Sequence, residues 1–227
     1  MTTPLAGTTE KHEVRHGAYG DETRRAIVLA AIRVVAESGV NGASLRAINV
    51  AAGSKNSSAA HYHFGTKLAM LEAAVALVWG EVLPAQNAGL EALEARMAAG
   101  GAVSAREILE TTYLPYLALL QRDDFGTEAA KFVSRLLVES DAEIQGLVNR
   151  TVAPQMGRVL GLLLHALPEV PPDKLVIRLF ITVTNVIHGA GDINALTNSP
   201  LGDLTAGDRN RFAEVLMDYL TAAVSAP

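Results

Sequence analysis

Residues 44–67, SLRAINVAAGSKNSSAAHYHFGTK, decide how the rest of the chain is read. Ser44 can cap a helix, and Leu45, Ile48, Ala51 and Ala52 then recur at helical spacing until Gly53 breaks the pattern. A second short segment is crowded with small polar side chains, two histidines and a tyrosine. It closes on Phe64, a Gly-Thr turn and Lys67. Two short helices joined by a tight glycine-containing turn form a helix-turn-helix, whose second helix can lie in a DNA major groove. Lys55, Asn56, Ser57 and Ser58 then stand at the start of that helix, where short polar side chains and free backbone N–H groups can meet phosphates and base edges. Asn pairs with adenine, Ser with several edges, and Lys with guanine or phosphate. Taken alone, Asn-Ser-Ser reads better as a generic helix cap.

Upstream, residues 1–20 mix Thr, Gly, Pro and charge without periodicity, which predicts a disordered arm. Inside it, His12-Glu13-Val14-Arg15-His16 matches the HExxH pattern of zinc peptidases. That chemistry needs a rigid helix with a packed apolar face and a third ligand. Gly17 and Gly20 follow at once and no apolar stripe flanks the motif, so it is read as coincidence. A zinc-dependent hydrolase through His12, Glu13 and His16 stands only as an alternative function. From Asp21 to Ser38, Ile27, Ala30, Ala31, Val34 and Val35 make a helical stripe that Gly39 ends. Arg24 and Arg25 fall in its first turn, where the helix dipole disfavours cations and an external phosphate would relieve the conflict. Solvated surface arginines are the plainer account of both.

The formal net charge of −5 divides unevenly. Residues 1–68 hold eight Lys/Arg against five acids, and the remainder holds 11 against 19. A basic module on an acidic body suits phosphate attraction, which acts locally, although scatter of surface charge would also produce it. There is no cysteine, hence no disulfide framework, thiol nucleophile or zinc-thiolate site. No uninterrupted apolar run approaches the roughly 18 residues of a membrane span, and the first residues lack a secretory signal. The expectation is a cytoplasmic protein without membrane contact. His61 and His63 point about 200° apart on a helix, so they do not converge on one metal ion.

A helix of about 18 residues, a short helix, glycine, a short polar helix, then Tyr62-His63-Phe64-Gly65-Thr66-Lys67 opening a long helix resembles the N-terminal domain of TetR (tetracycline-repressor-like) transcriptional regulators. The likeness covers roughly residues 21–75. It implies an all-α fold: a three-helix DNA-binding domain at 21–66, joined by continuous helix to a helical sensing and dimerisation domain at 67–227. By this resemblance Tyr62, His63 and Lys67 grip phosphates, Phe64 anchors the recognition helix, and Lys55 to His61 face the groove. Arg24, Ser44 and Arg46 complete the expected DNA-binding set. The sequence departs from the family pattern in one extra residue between Gly53 and Phe64, in Asn49 for alanine, in Ser54 for valine, and in His61 for a frequent tyrosine. A closing Tyr-His-Phe-Gly with Asn in the turn is similar to a subset of the family.

Downstream, Leu68, Leu71, Val75 and Val78 predict a helix from Lys67 to about Leu83, ended or kinked by Pro84, with Glu91–Met97 as a separate helix. Ser104 and Glu107 make a capping-box signature. Amphipathic segments follow at 128–139 and 141–167. The helix after Pro171-Pro172-Asp173 carries Leu175, Val176, Leu179, Phe180, Val183, Val186 and Ile187, and a last helix carries Phe212, Val215, Leu216, Tyr219 and Leu220. The resemblance implies a homodimer through 171–190 and 207–225; internal core is the alternative reading of the same stripes. It further implies a repressor that binds a palindromic operator in double-stranded DNA and is released by a largely apolar small molecule. Trp79, Tyr113, Tyr116, Phe132, Arg135, Asn185 and His188 are the candidate pocket walls, each with packing or surface placement as the plainer account. Neither cofactor nor catalytic residue is expected. A helical adaptor that binds only protein is the other alternative.

Overall fold

The computed structural model describes residues 9–56, 58–204 and 209–226, without the side chains of 9–19, 193, 194, 209 and 210. All regular elements among them are helical, apart from a single bridge between Ser199 and Gly202. The chain forms two compact units, 1–74 and 75–227.

In the first unit α1 spans Thr9–Gly42, α2 Leu45–Ala51 and α3 Ala59–Phe64; α4 begins at Lys67. Residues 9–20 are therefore helical backbone rather than an arm, while 1–8 lie outside the described residues. One glycine costs a helix only about 1 kcal/mol relative to alanine, too little for Gly17 or Gly20 to stop a helix continued from the strong stripe behind it. Of that stripe Ile27, Ala30, Ala31 and Val35 are buried, together with Ile32, while Val34 is half-buried, and α1 packs on α2 and α3. Gly39 breaks α1 at φ 69°, ψ 174°, as the sequence predicts. Ser44 caps α2, its Oγ accepting from Ala47 N at 3.1 Å.

α4 runs unbroken from Lys67 to Ala98, and Pro84 lies inside it. This corrects the expected stop at residue 83. An interior proline costs a helix about 3 kcal/mol. Val78 and Val82 before it, and Leu90 and Leu93 after it, are all buried in the second unit. Several such burials, each worth about 1.5–3 kcal/mol, outweigh the one lost hydrogen bond. α4 is long and apolar enough to cross a membrane by length and composition, but these burials give its apolar side a place in a folded core.

The second unit continues with α5 (Ala105–Leu117), a 3₁₀ turn (Ala118–Gln121), α6 (Gly126–Leu137), α7 (Ala142–Ala166), α8 (Pro172–Gly191), α9 (Ile193–Thr197) and α10 (Arg209–Ser225). The capping box forms at α5: Ser104 Oγ accepts from Glu107 N, and the Glu107 carboxylate accepts from Ser104 N at 2.9 Å. α6 packs on α7 and α8, while α5 packs on α7 and α10. Arg158 of α7 holds Glu94 of α4 through two parallel hydrogen bonds of 2.7 and 2.8 Å and also donates to Asn87 Oδ1. The apolar residues of α8 divide between two faces. Leu175, Leu179, Val186 and Ile187 enter the core, whereas Val176, Ile177, Phe180 and Ile181 are exposed. α10, packed beside α8, repeats the division, burying Met217, Leu220 and Val224 and exposing Val215 and Tyr219.

Candidate functional site

The turn of the helix-turn-helix is longer, and the second helix shorter, than the sequence suggests. α3 starts only at Ala59, so Lys55, Asn56 and Ser58 occupy the turn rather than the helix. Ser57 lies outside the described residues. The cause is Asn49. Its side chain is buried at 3 % exposure; Nδ2 donates to Asn56 O at 2.6 Å and Oδ1 accepts from Ala60 N at 3.1 Å. Ala60 N and Asn56 O stand four residues apart, the pair that an earlier-starting helix would join directly. The carboxamide is inserted between them, which holds the turn open and fixes α2 to α3. Gly53 supplies the left-handed residue of this turn at φ 65°, a conformation that side-chain-bearing residues rarely adopt.

The first donors of α3 are therefore already satisfied inside the protein. Ala59 N donates to Asn56 O, Ala60 N to Asn49 Oδ1, and Ser58 N to Asn56 Oδ1. The expectation of free N–H groups for phosphate is corrected at these positions. Asn56 Oδ1, expected to face adenine, caps the turn instead. What the motif presents to solvent is a set of side chains: Arg46, Lys55, Asn56, Ser58, His61 and Tyr62 are all exposed. Tyr62, at 84 %, is among the most exposed large apolar residues of the protein.

Behind this surface the aromatic rings are stacked in sequence. Tyr62 meets His63 edge to face with centroids 5.3 Å apart, and His63 meets Phe64 at 6.3 Å. The Arg24 guanidinium then lies 5.0 Å from the Phe64 centroid. Phe64 is only half-buried, so it anchors α3 partly through this cation–π contact. Lys67 is turned inward. Its Nζ donates to the carbonyl of Val40, where α1 gives out beyond Gly39. An ammonium on an end-of-helix carbonyl is a cap, and it takes one of the three protons available for phosphate.

In the second unit a cavity of about 640 Å³, its open mouth included, lies among α4, α5, α6, α7 and α8. Of the candidate walls, Trp79, Tyr113 and Tyr116 line it, with Trp79 and Tyr116 in edge-to-face contact at 5.8 Å. The other four do not. Phe132 is wholly buried in the core, and Arg135 and Asn185 face outward. His188 is a satisfied polar group whose Nδ1 shares a proton with Ser134 Oγ at 2.8 Å. The sequence reading missed Gln86, Thr151 and Gln155 among the walls. A signal for Gln155 existed: Val148, Thr151, Val152, Gln155 and Met156 recur at helical spacing, with a polar residue in an apolar stripe. The Tyr113 and Tyr116 hydroxyls are held well above the usual phenol range by burial, so they stay protonated.

Among the described residues no three His, Asp or Glu side chains come together as a metal site. The side chains of His12, Glu13 and His16 lie outside those described.

Residues 110–223 match the family described as "Tetracyclin repressor-like, C-terminal domain". Among solved structures the chain is similar to the fatty acid degradation regulator FadR from Bacillus halodurans, at 16% identity and a TM-score of 0.57, with 88% of this chain and 94% of that chain covered. It is also similar to a TetR-family transcriptional regulator from Rhodococcus sp., at 17% identity and a TM-score of 0.59, with 89% and 97% covered. At these identities the likeness is one of fold. No curated protein matches the chain in sequence.

Proposed function

The chain belongs to the tetracycline-repressor-like family of non-enzymatic, DNA-binding transcription regulators, and from that premise we propose that it is a cytoplasmic, dimeric repressor of a palindromic operator, released by a small molecule. The observation that carries the DNA contact is the exposed surface of the turn and α3. Lys55 and Tyr62 are exposed on either side of the bridge by which Asn49 pairs Asn56 O and Ala60 N. On this proposal Lys55 and Arg46 meet phosphates, with Arg24 and Ser44 at the margin of the same face. Ser57, Ser58 and His61 approach base edges, and Tyr62 and His63 position the element on the backbone. Lys67 contributes mainly by holding the motif together.

The exposed apolar residues of α8 and α10 support a two-fold interface, since adjoining apolar faces of this kind mark association surfaces. A dimer offers two reading elements to half-sites separated by helical turns. The cavity supports the effector role. An effector bound a hundredfold more tightly by the DNA-free conformation lowers operator affinity by the same factor, about 2.7 kcal/mol. α4 contributes residues to both units and is the element through which we propose the coupling runs.

Selection of bound sequences from random duplex DNA tests the reading. A palindromic consensus is expected. Absence of any enrichment, or DNA affinity without steep salt dependence, would sink it in favour of a protein-binding adaptor.

A further inference from the structure

The cavity is uncharged throughout, yet its polar groups are unevenly disposed. Thr112 Oγ1 donates to Ile108 O at 2.7 Å, and Thr151 Oγ1 to Leu147 O at 2.9 Å. Thr182 Oγ1 reaches both Leu179 O, to which it donates, and the Tyr113 hydroxyl at 2.6 Å. The Tyr116 hydroxyl points at Ala130 O, 3.4 Å away, and Gln86 Nε2 donates to Thr112 O. Every hydroxyl in the walls thus has a partner within the protein itself. Gln155 Oε1 is the exception: it is buried and accepts from nothing. A buried amide oxygen without a donor is destabilising, and native proteins retain few of them.

We infer that the cavity receives an uncharged, largely aliphatic molecule carrying one hydroxyl, whose proton Gln155 Oε1 accepts. This rests on the effector reading given above. An anionic head is disfavoured because no Lys, Arg or His lines the cavity, and a buried carboxylate without a counter-charge is severely penalised. An ammonium finds no carboxylate there either. A hydroxyl both donates and accepts, so it matches the carboxamide in either of its two orientations.

The test uses the full chain and its single tryptophan, Trp79, as the reporter in the cavity wall. Decanol, decyl methyl ether, decanoate and decylamine are titrated while Trp79 emission is followed. Saturable decanol binding is expected, with the other three weaker by about tenfold, the factor that one buried hydrogen bond supplies. Gln155→Leu should abolish the preference for decanol over its ether. It should not lower the Tm of the empty protein, because it removes an unsatisfied group, and retained Tm also shows that the variant folds. The inference is overturned if decanoate or the ether binds as well as decanol, if none of the four binds, or if Gln155→Leu leaves the preference intact. Operator affinity measured in the same samples separates the two readings. Decanol binding without any change in DNA affinity would remove the effector role and keep the ligand assignment. A carboxylate-selective cavity that releases DNA would do the opposite.

Discussion

The carboxamide of Asn49 accepts a hydrogen bond from Ala60 N at 3.1 Å across eleven residues, and this one contact ties the first helix of the motif to the second. Its other end donates to Asn56 O, which also accepts from Ala59 N and from Ser54 Oγ. Truncating Asn49 therefore leaves Asn56 O satisfied and orphans Ala60 N. Asn49→Ala is expected to destabilise the protein by about 1–3 kcal/mol, the penalty for one buried unsatisfied donor. Operator affinity should fall without a change in its salt dependence, since Asn49 is buried away from phosphates. Denaturant unfolding and a salt series of binding isotherms check both parts.

Lys55 and Lys67 should behave differently although both are cations of the same motif. Lys55 is exposed and Lys67 is half-buried, with its ammonium on the Val40 carbonyl. Lys55→Ala should leave stability within about 0.5 kcal/mol and flatten the log-affinity against log-salt slope by about 0.9, one phosphate contact. Lys67→Ala should instead lower stability by about 1 kcal/mol and leave the slope near its original value. Equal slope losses in both variants would show that Lys67 also reaches a phosphate.

Phe180 and Val215 test the association surface. They are 67 % and 58 % exposed on helices that pack side by side. An aspartate there adds a charge that an apolar two-fold interface would have to bury twice. Phe180→Asp and Val215→Asp should each yield folded monomers in analytical ultracentrifugation, with operator affinity falling as the second half-site is lost. A dimer that persists in both variants would exclude this face.

The capping box at α5 gives a pH dependence. Hydrogen bonds from the Ser104 backbone and hydroxyl, then from Arg96, lower the Glu107 carboxyl from 4.5 to about 2. A depressed folded-state pKa means that the contribution is full above the unfolded value and disappears as pH falls through the folded one. The Glu107 contribution should thus be complete above about pH 4.5 and lost between there and about pH 2. Glu107→Gln keeps an acceptor for the box but does not titrate. It should flatten the decline of Tm across that window, and the difference should shrink in high salt because the group is solvent-exposed. Parallel declines in both proteins would count against the assignment.

Helix type and order were legible in the sequence by themselves. The apolar stripe of α1, the break at Gly39, the Ser44 and Ser104 caps and the glycine in the turn are local features, set by spacing of 3.6 and by side chains reaching two or three residues along the chain. The position of the motif, and hence the family resemblance, followed from them. The tertiary structure decided what depends on partners distant in sequence. Pro84 stays within α4 because residues on both sides of it are buried, which no local propensity records. Asn49 delays α3 by bridging to Asn56 and Ala60, and Lys67 faces Val40, 27 residues away. The two faces of α8 carry the same kinds of apolar residue, and only packing separates the core face from the exposed one. The cavity is made by five helices together, so His188 fell to Ser134, and Gln155 stands in the wall with its buried carboxamide oxygen unpaired. Periodicity places a residue on a face of its own helix, but what stands opposite that face is fixed only when the helices pack.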